Sequence, residues 1–152
     1  MSIRNPNSND LHIGVIAALV LFVLTAQADA SGASVSNGWF RKLPSGLPAA
    51  GYFELHNGGD KTISLTGASS PGCGMLMLHK SENMGGMMHM DDVSGVDVAP
   101  GATIKFAPGG YHLMCMSPKP SLTPGSTVPV TFVFTDGTKP QFPFAVRHAN
   151  GK

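Results

Sequence analysis

From residue 51 onward the chain alternates apolar and polar residues with a period of two, and no segment carries a helical stripe. In 51–56, Phe53 and Leu55 alternate with Tyr52, Glu54 and His56, and in 61–66 Ile63 and Leu65 alternate with Thr and Ser. Further short strands are expected over 75–79, 103–106, 111–116, 128–135 and 142–147. Turn signals separate them: Asn57-Gly58-Gly59-Asp60, Pro100-Gly101, Pro108-Gly109-Gly110, Pro124-Gly125 and Asp136-Gly137. Many short strands at close spacing imply an all-β, antiparallel β-sandwich in one domain over residues 31–152.

The beginning of the chain has another character. Arg4 stands in a polar start, an apolar run follows from Ile13 to Leu24, and Ala26-Gln27-Ala28 and Ala28-Asp29-Ala30 offer two A-x-A sites. This is the form of a secretory signal peptide, with cleavage expected after Ala28 or Ala30. The run is too short for a spanning helix, which needs about 20 apolar residues. An exported protein with no stable membrane insertion after cleavage is therefore expected.

Composition narrows the function classes. Removing Arg4, Asp10 and Asp29 moves the formal charge only from +1 to +2, and no run of Lys and Arg suggests a nucleic-acid partner. With 12% charged residues, 19 Gly, 12 Pro and 42% hydrophobic residues, the chain has the content of a turn-rich β domain rather than a disordered one. Catalytic triads and phosphate loops are not apparent, because the Gly-rich stretches lie in β-turns. A monomer is expected.

Two cysteines, Cys73 and Cys115, are permitted a disulfide in an exported protein. Strand parity argues against it, since Cys73 shares the parity of His79 while Cys115 opposes that of His112 and Met114. A bulge at Gly72 or Gly74 would restore it. Both states remain open at this level.

The chemistry concentrates in His79, Met90, His112 and Met114, spaced as His, ten residues, Met, twenty-one residues, His-x-Met. Alternation puts His112 and Met114 on one strand face. Neutral imidazole and thioether donors form a soft ligand set that favours Cu(I). Zinc prefers Cys, His and carboxylate, and magnesium and calcium need oxygen ligands. The segment 82–90 reads as a Gly-rich loop that folds Met90 back over the histidines. Within it Met84, Met87, Met88 and His89 are candidate auxiliary ligands, Met88 and His89 foremost, though Met88 and Met90 are not expected to face the site together. Met75, Met77 and Met116 share the parity of the site, and Trp39 reads as a core anchor.

This spacing, with Gly109-Gly110-Tyr111-His112-Leu113-Met114, resembles the PCu(A)C family of periplasmic copper chaperones. Trp39, Arg41, Ala50-Gly51-Tyr52, Pro100-Gly101 and Gly125-x-x-Val128 extend the resemblance from Val35 to Val146. It implies a cupredoxin-like Greek-key sandwich without enzymatic activity. It also implies one Cu(I) held by His79, Met90, His112 and Met114, and a copper-acceptor partner, either a cytochrome oxidase subunit or its assembly factor. The rival is a blue-copper electron carrier. That site needs a Cys thiolate beside two His, and Cys115 lies close to His112 but on the other face.

Overall fold

A computed structural model describes residues 32–152, so the expected signal peptide and its cleavage sites lie outside the described residues. Ten strands run in chain order: β1 (Ala33–Arg41), β2 (Ala49–Asn57), β3 (Ile63–Ser69), β4 (Cys73–Met84), β5 (Met87–Asp92), β6 (Val96–Val98), β7 (Thr103–Phe106), β8 (Tyr111–Pro118), β9 (Thr127–Phe134) and β10 (Gln141–Arg147). No helix occurs among the described residues. The strands hydrogen-bond in the order β5-β4-β8-β2-β1-β10-β9-β3-β6, with β7 also paired to β2. β2 serves two partners, Ala49–Gly51 with β8 and Phe53–His56 with β7. Every pair is antiparallel except β1 with β10, which lie parallel, so the sheet is mixed. A parallel pair needs a long crossover, and here the whole intervening domain supplies it.

The ladder curls until β3 and β4, which share no hydrogen bonds, pack together and close a sandwich. Phe40, Phe53, Phe132 and Phe144 are fully buried at its centre. Ring centroids lie 5.0 Å apart for Phe53 and Phe132 and 4.1 Å apart for Phe53 and Phe106. Burying each such side chain contributes roughly 1.5–3 kcal/mol. Fully buried Asn57 is satisfied: its Nδ2 donates to the carbonyls of Lys61 (2.7 Å) and Val98 (2.9 Å), and its Oδ1 accepts from Gly59 N–H (3.0 Å). The Asn57–Asp60 turn is thereby tied to β6.

Trp39 is not a core anchor. It is half-buried on the outer face of β1, with the Arg147 guanidinium 4.8 Å from its ring and the Tyr52 ring at 5.1 Å. Its neighbour Phe40 takes the core position. The β1 ladder shifts register between Ser36 and Trp39, and Asn37 adopts φ 55° there. That irregularity resets which residues face inward.

A disulfide joins Cys73 on β4 to Cys115 on β8, with Cα atoms 5.4 Å apart and a sequence separation of 42. The parity obstacle is removed on β4. Gly74 and Met75 are both exposed between buried Cys73 and Leu76, while the pairing with β8 keeps one register. A Cβ on Gly74 would lie 2.9 Å from the Ser117 Cβ, and Ser117 itself has φ 48°. The strand pair is thus twisted locally, turning Cys73 into the core.

Candidate metal centre

β4 and β8 pair so that His79 is directly opposite His112, Met77 opposite Met114 and Met75 opposite Met116. Side chains paired in this way project from one sheet face. The two imidazoles meet edge to face, with centroids 5.7 Å apart and planes at 73°.

His112 is 4% exposed, and its Nδ1 lies 3.1 Å from the Gly110 carbonyl. A carbonyl only accepts, so Nδ1 carries the proton and Nε2 keeps its lone pair free. The same Gly110 oxygen also accepts the Ser81 N–H at 3.0 Å, which anchors it. Burial lowers the His112 pKa; the Gly110 hydrogen bond opposes this, and nearby His79 and Arg41 reinforce it. The neutral, metal-binding form is favoured.

The His79 side chain is 14% exposed, and its Nε2 lies 2.7 Å from Asp92 Oδ1 on β5. The contact is short but not aligned, so both ring nitrogens are buried without a hydrogen-bond partner. A badly aligned contact is not a hydrogen bond whatever its length. An unpaired buried polar group costs about 1–3 kcal/mol, a cost that coordination would remove. The donor set therefore fits a soft metal ion.

β4 does not stop at His79 but runs on to Met84, and 82–90 is a β-hairpin rather than a loop. Gly85 and Gly86 form its two-residue turn with φ 63° and 89°. Two successive left-handed residues are what a tight hairpin with the strand twist requires. The hairpin register places Asp92 opposite His79, Met90 opposite Ser81 and Met88 opposite Asn83. Met88 and Met90 therefore share a face, contrary to the expectation from sequence, and both line the site groove. His89 lies on the other face, 3.0 Å from Asp91, so the hairpin does not bring it to the groove.

The groove encloses about 390 Å³ among His112, Met114, Met88, Met90, Tyr52 and Arg41. His79 is not part of its lining; it stands beside His112 on the neighbouring strand. Met90 lies one rung to one side of the histidine pair and Met114 one rung to the other. Met90 is 55% exposed, leaving that side open to an incoming molecule. A larger depression of about 520 Å³ beside Lys42, Pro44, Pro124 and His148 gathers no comparable donors. Arg41 and Asp92 are the polar neighbours that sequence reasoning did not assign to the site. Arg41 Nε is buried without a hydrogen-bond partner, and its guanidinium lies 5.9 Å from the Tyr52 ring centroid. Only the hairpin register reveals Asp92.

Comparison with known proteins agrees with this architecture. The family described as "Putative lipoprotein LpqE-like" matches residues 33–146. A relative from Leifsonia xyli subsp. xyli, "Putative lipoprotein Lxx21020", is 32% identical over 143 residues, covering 91% of this chain and 86% of its own. Among solved structures, the apo PCuAC domain from PmoF1 superposes with a TM-score of 0.64 at 23% identity, covering 77% of this chain and 94% of that domain. The Cu(I) form of DR1885 from Deinococcus radiodurans does so at 0.60 with 28% identity, covering 76% of each chain. The fold is thus the cupredoxin-like sandwich of PCuAC domains, and the chain belongs to the LpqE-like family, which is of the PCuAC type.

Proposed function

We propose that this protein is an exported, periplasmic Cu(I) carrier without catalytic activity, which hands its ion to a copper-accepting protein on the route to cytochrome oxidase. The copper-bound state of related domains supports the cargo, as in the copper-bound PCuAC domain from PmoF2 and Cu(I)-DR1885. The observation that carries the reading is the cross-strand pair His79/His112, flanked by Met114 and Met90 on an accessible face. His79, Met90, His112 and Met114 are the ligands, and Met88 lines the groove beside them as an auxiliary thioether outside the ligand set.

Neutral ligands suit a carrier. They leave the ion's single charge uncompensated and avoid the tight hold of thiolates, so an acceptor can displace them one at a time. The exposed Met90 is the natural first ligand to leave. The electron-carrier alternative loses its thiolate, because Cys115 is fully buried and bonded to Cys73.

Mixing the Cu(I)-loaded protein with an apo acceptor domain under anaerobic conditions tests the reading. Copper is expected to move faster than it is released to a chelator in the same buffer. Transfer no faster than release would remove the carrier function.

A further inference from the structure

Of the nine methionines, all except Met1 fall on β4, β5 and β8, and none of these eight is fully buried. A protein that used methionine as core filler would place some of them in its core. Here the buried core is mostly Phe, Leu and Val and holds no methionine among the described residues. Four of the eight, Met75, Met77, Met114 and Met116, occupy two adjacent rungs of the β4–β8 ladder on the face that carries His79 and His112. Met75 is 60% and Met116 39% exposed, positions where β-branched Thr or Val would suit a strand better.

We propose that Met75, Met77 and Met116 form a second, weaker Cu(I) site, an all-thioether station two rungs from the histidine pair. Directly opposed side chains have Cβ atoms about 4.5–5.5 Å apart, within reach of one shared ion for two flexible thioethers. Successive rungs on one face are about 6.6 Å apart, so Met77 reaches the ion from the neighbouring rung. The Met75/Met116 rung is thus about 13 Å from the histidine pair, too far to share its ion. Met77 and Met114 occupy the rung between the two. Passage along the ladder is ligand exchange: one Cu–S bond forms as another breaks, with no electron or proton transferred. Thioethers select Cu(I) over divalent ions, so the station takes the same cargo. The inference extends the carrier reading and rests on it.

Anaerobic titration of the full exported chain with Cu(I), buffered by a chromophoric chelator, tests the proposal. Two equivalents are expected, the second at least tenfold weaker. In Met75→Leu/Met116→Leu, isosteric changes at exposed positions, the first equivalent is expected to keep its affinity and the second to disappear. Methionine methyl resonances provide an independent readout: the second equivalent should shift Met75, Met77 and Met116. One equivalent in the wild type, a second that survives the double substitution, or shifts confined to Met84 and Met87 would each overturn the station. All three leave the first equivalent intact, whereas loss of that equivalent would strike the carrier reading itself.

Discussion

His112→Ala is expected to weaken Cu(I) binding by on the order of a hundredfold or more while the domain stays folded. Removing a residue that merely supports a metal ligand typically costs 10–100-fold, and loss of a preset ligand costs at least as much. His112 is the most preset donor in the groove. It is 4% exposed, its Nδ1 proton is held by Gly110, and its Nε2 is free. The fold depends on it less, because Gly110 keeps its second donor, the Ser81 N–H, and the aromatic core lies on the other sheet face. Competition against a Cu(I) chelator measures the first quantity and circular dichroism the second. Unchanged affinity in a folded variant would show that copper, if bound, sits elsewhere.

The paired substitution Cys73→Ser/Cys115→Ser is expected to do the reverse, lowering stability and leaving Cu(I) affinity unchanged. Closing a loop across 42 residues of sequence stabilises by about 4 kcal/mol in the chain-entropy account of cross-links. That is a large fraction of the total for a domain of this size. Cys115 is fully buried and points away from the face of His112 and Met114, so copper should not sense the change. Urea unfolding of oxidised and variant protein gives the stability difference, and the chelator competition gives the affinity. A variant that kept its stability but lost copper would make the cysteines ligands and revive the electron-carrier alternative.

The parts of the site that were legible from sequence follow from strand alternation, which needs nothing but the count of residues. His112 and Met114 share a face because they are two apart, and β8 obeys that rule. The strands that pack one face on the core were legible for the same reason, as in β9 with its buried Val128, Val130, Phe132 and Phe134. β5 was not, because every residue from Met87 to Asp92 is exposed and no core face imposes a period-two pattern. Its one signal was Gly85-Gly86 between two runs, a hairpin turn that resembles a flexible linker when read by composition. Once the hairpin is in place, Met88 and Met90 become neighbours on one face and His89 turns away.

β6 is three residues long, too short for any periodic signal, and β1 hides its pattern behind the irregularity at Asn37. Trp39 was misplaced for that reason: a large aromatic predicts burial, but one residue of slippage exchanged its place with Phe40. The disulfide required a departure from regular pleating at Gly74 and Ser117, which no count of residues reveals. His79 with Asp92 and His112 with Met114 therefore belong to different levels of inference. The second pair is local to one strand, whereas the first depends on a register set by the hairpin.

Two imidazoles and two thioethers, with no thiolate, are expected to hold the ion. The copper K-edge absorption spectrum of the protein loaded with one equivalent of Cu(I) tests it most directly. Nitrogen and sulfur together are expected in the first coordination shell, with the sulfur contribution falling by about half in Met114→Leu because one of two thioethers is lost. A shell of nitrogen and oxygen alone, or a sulfur contribution that Met114→Leu leaves untouched, would contradict it.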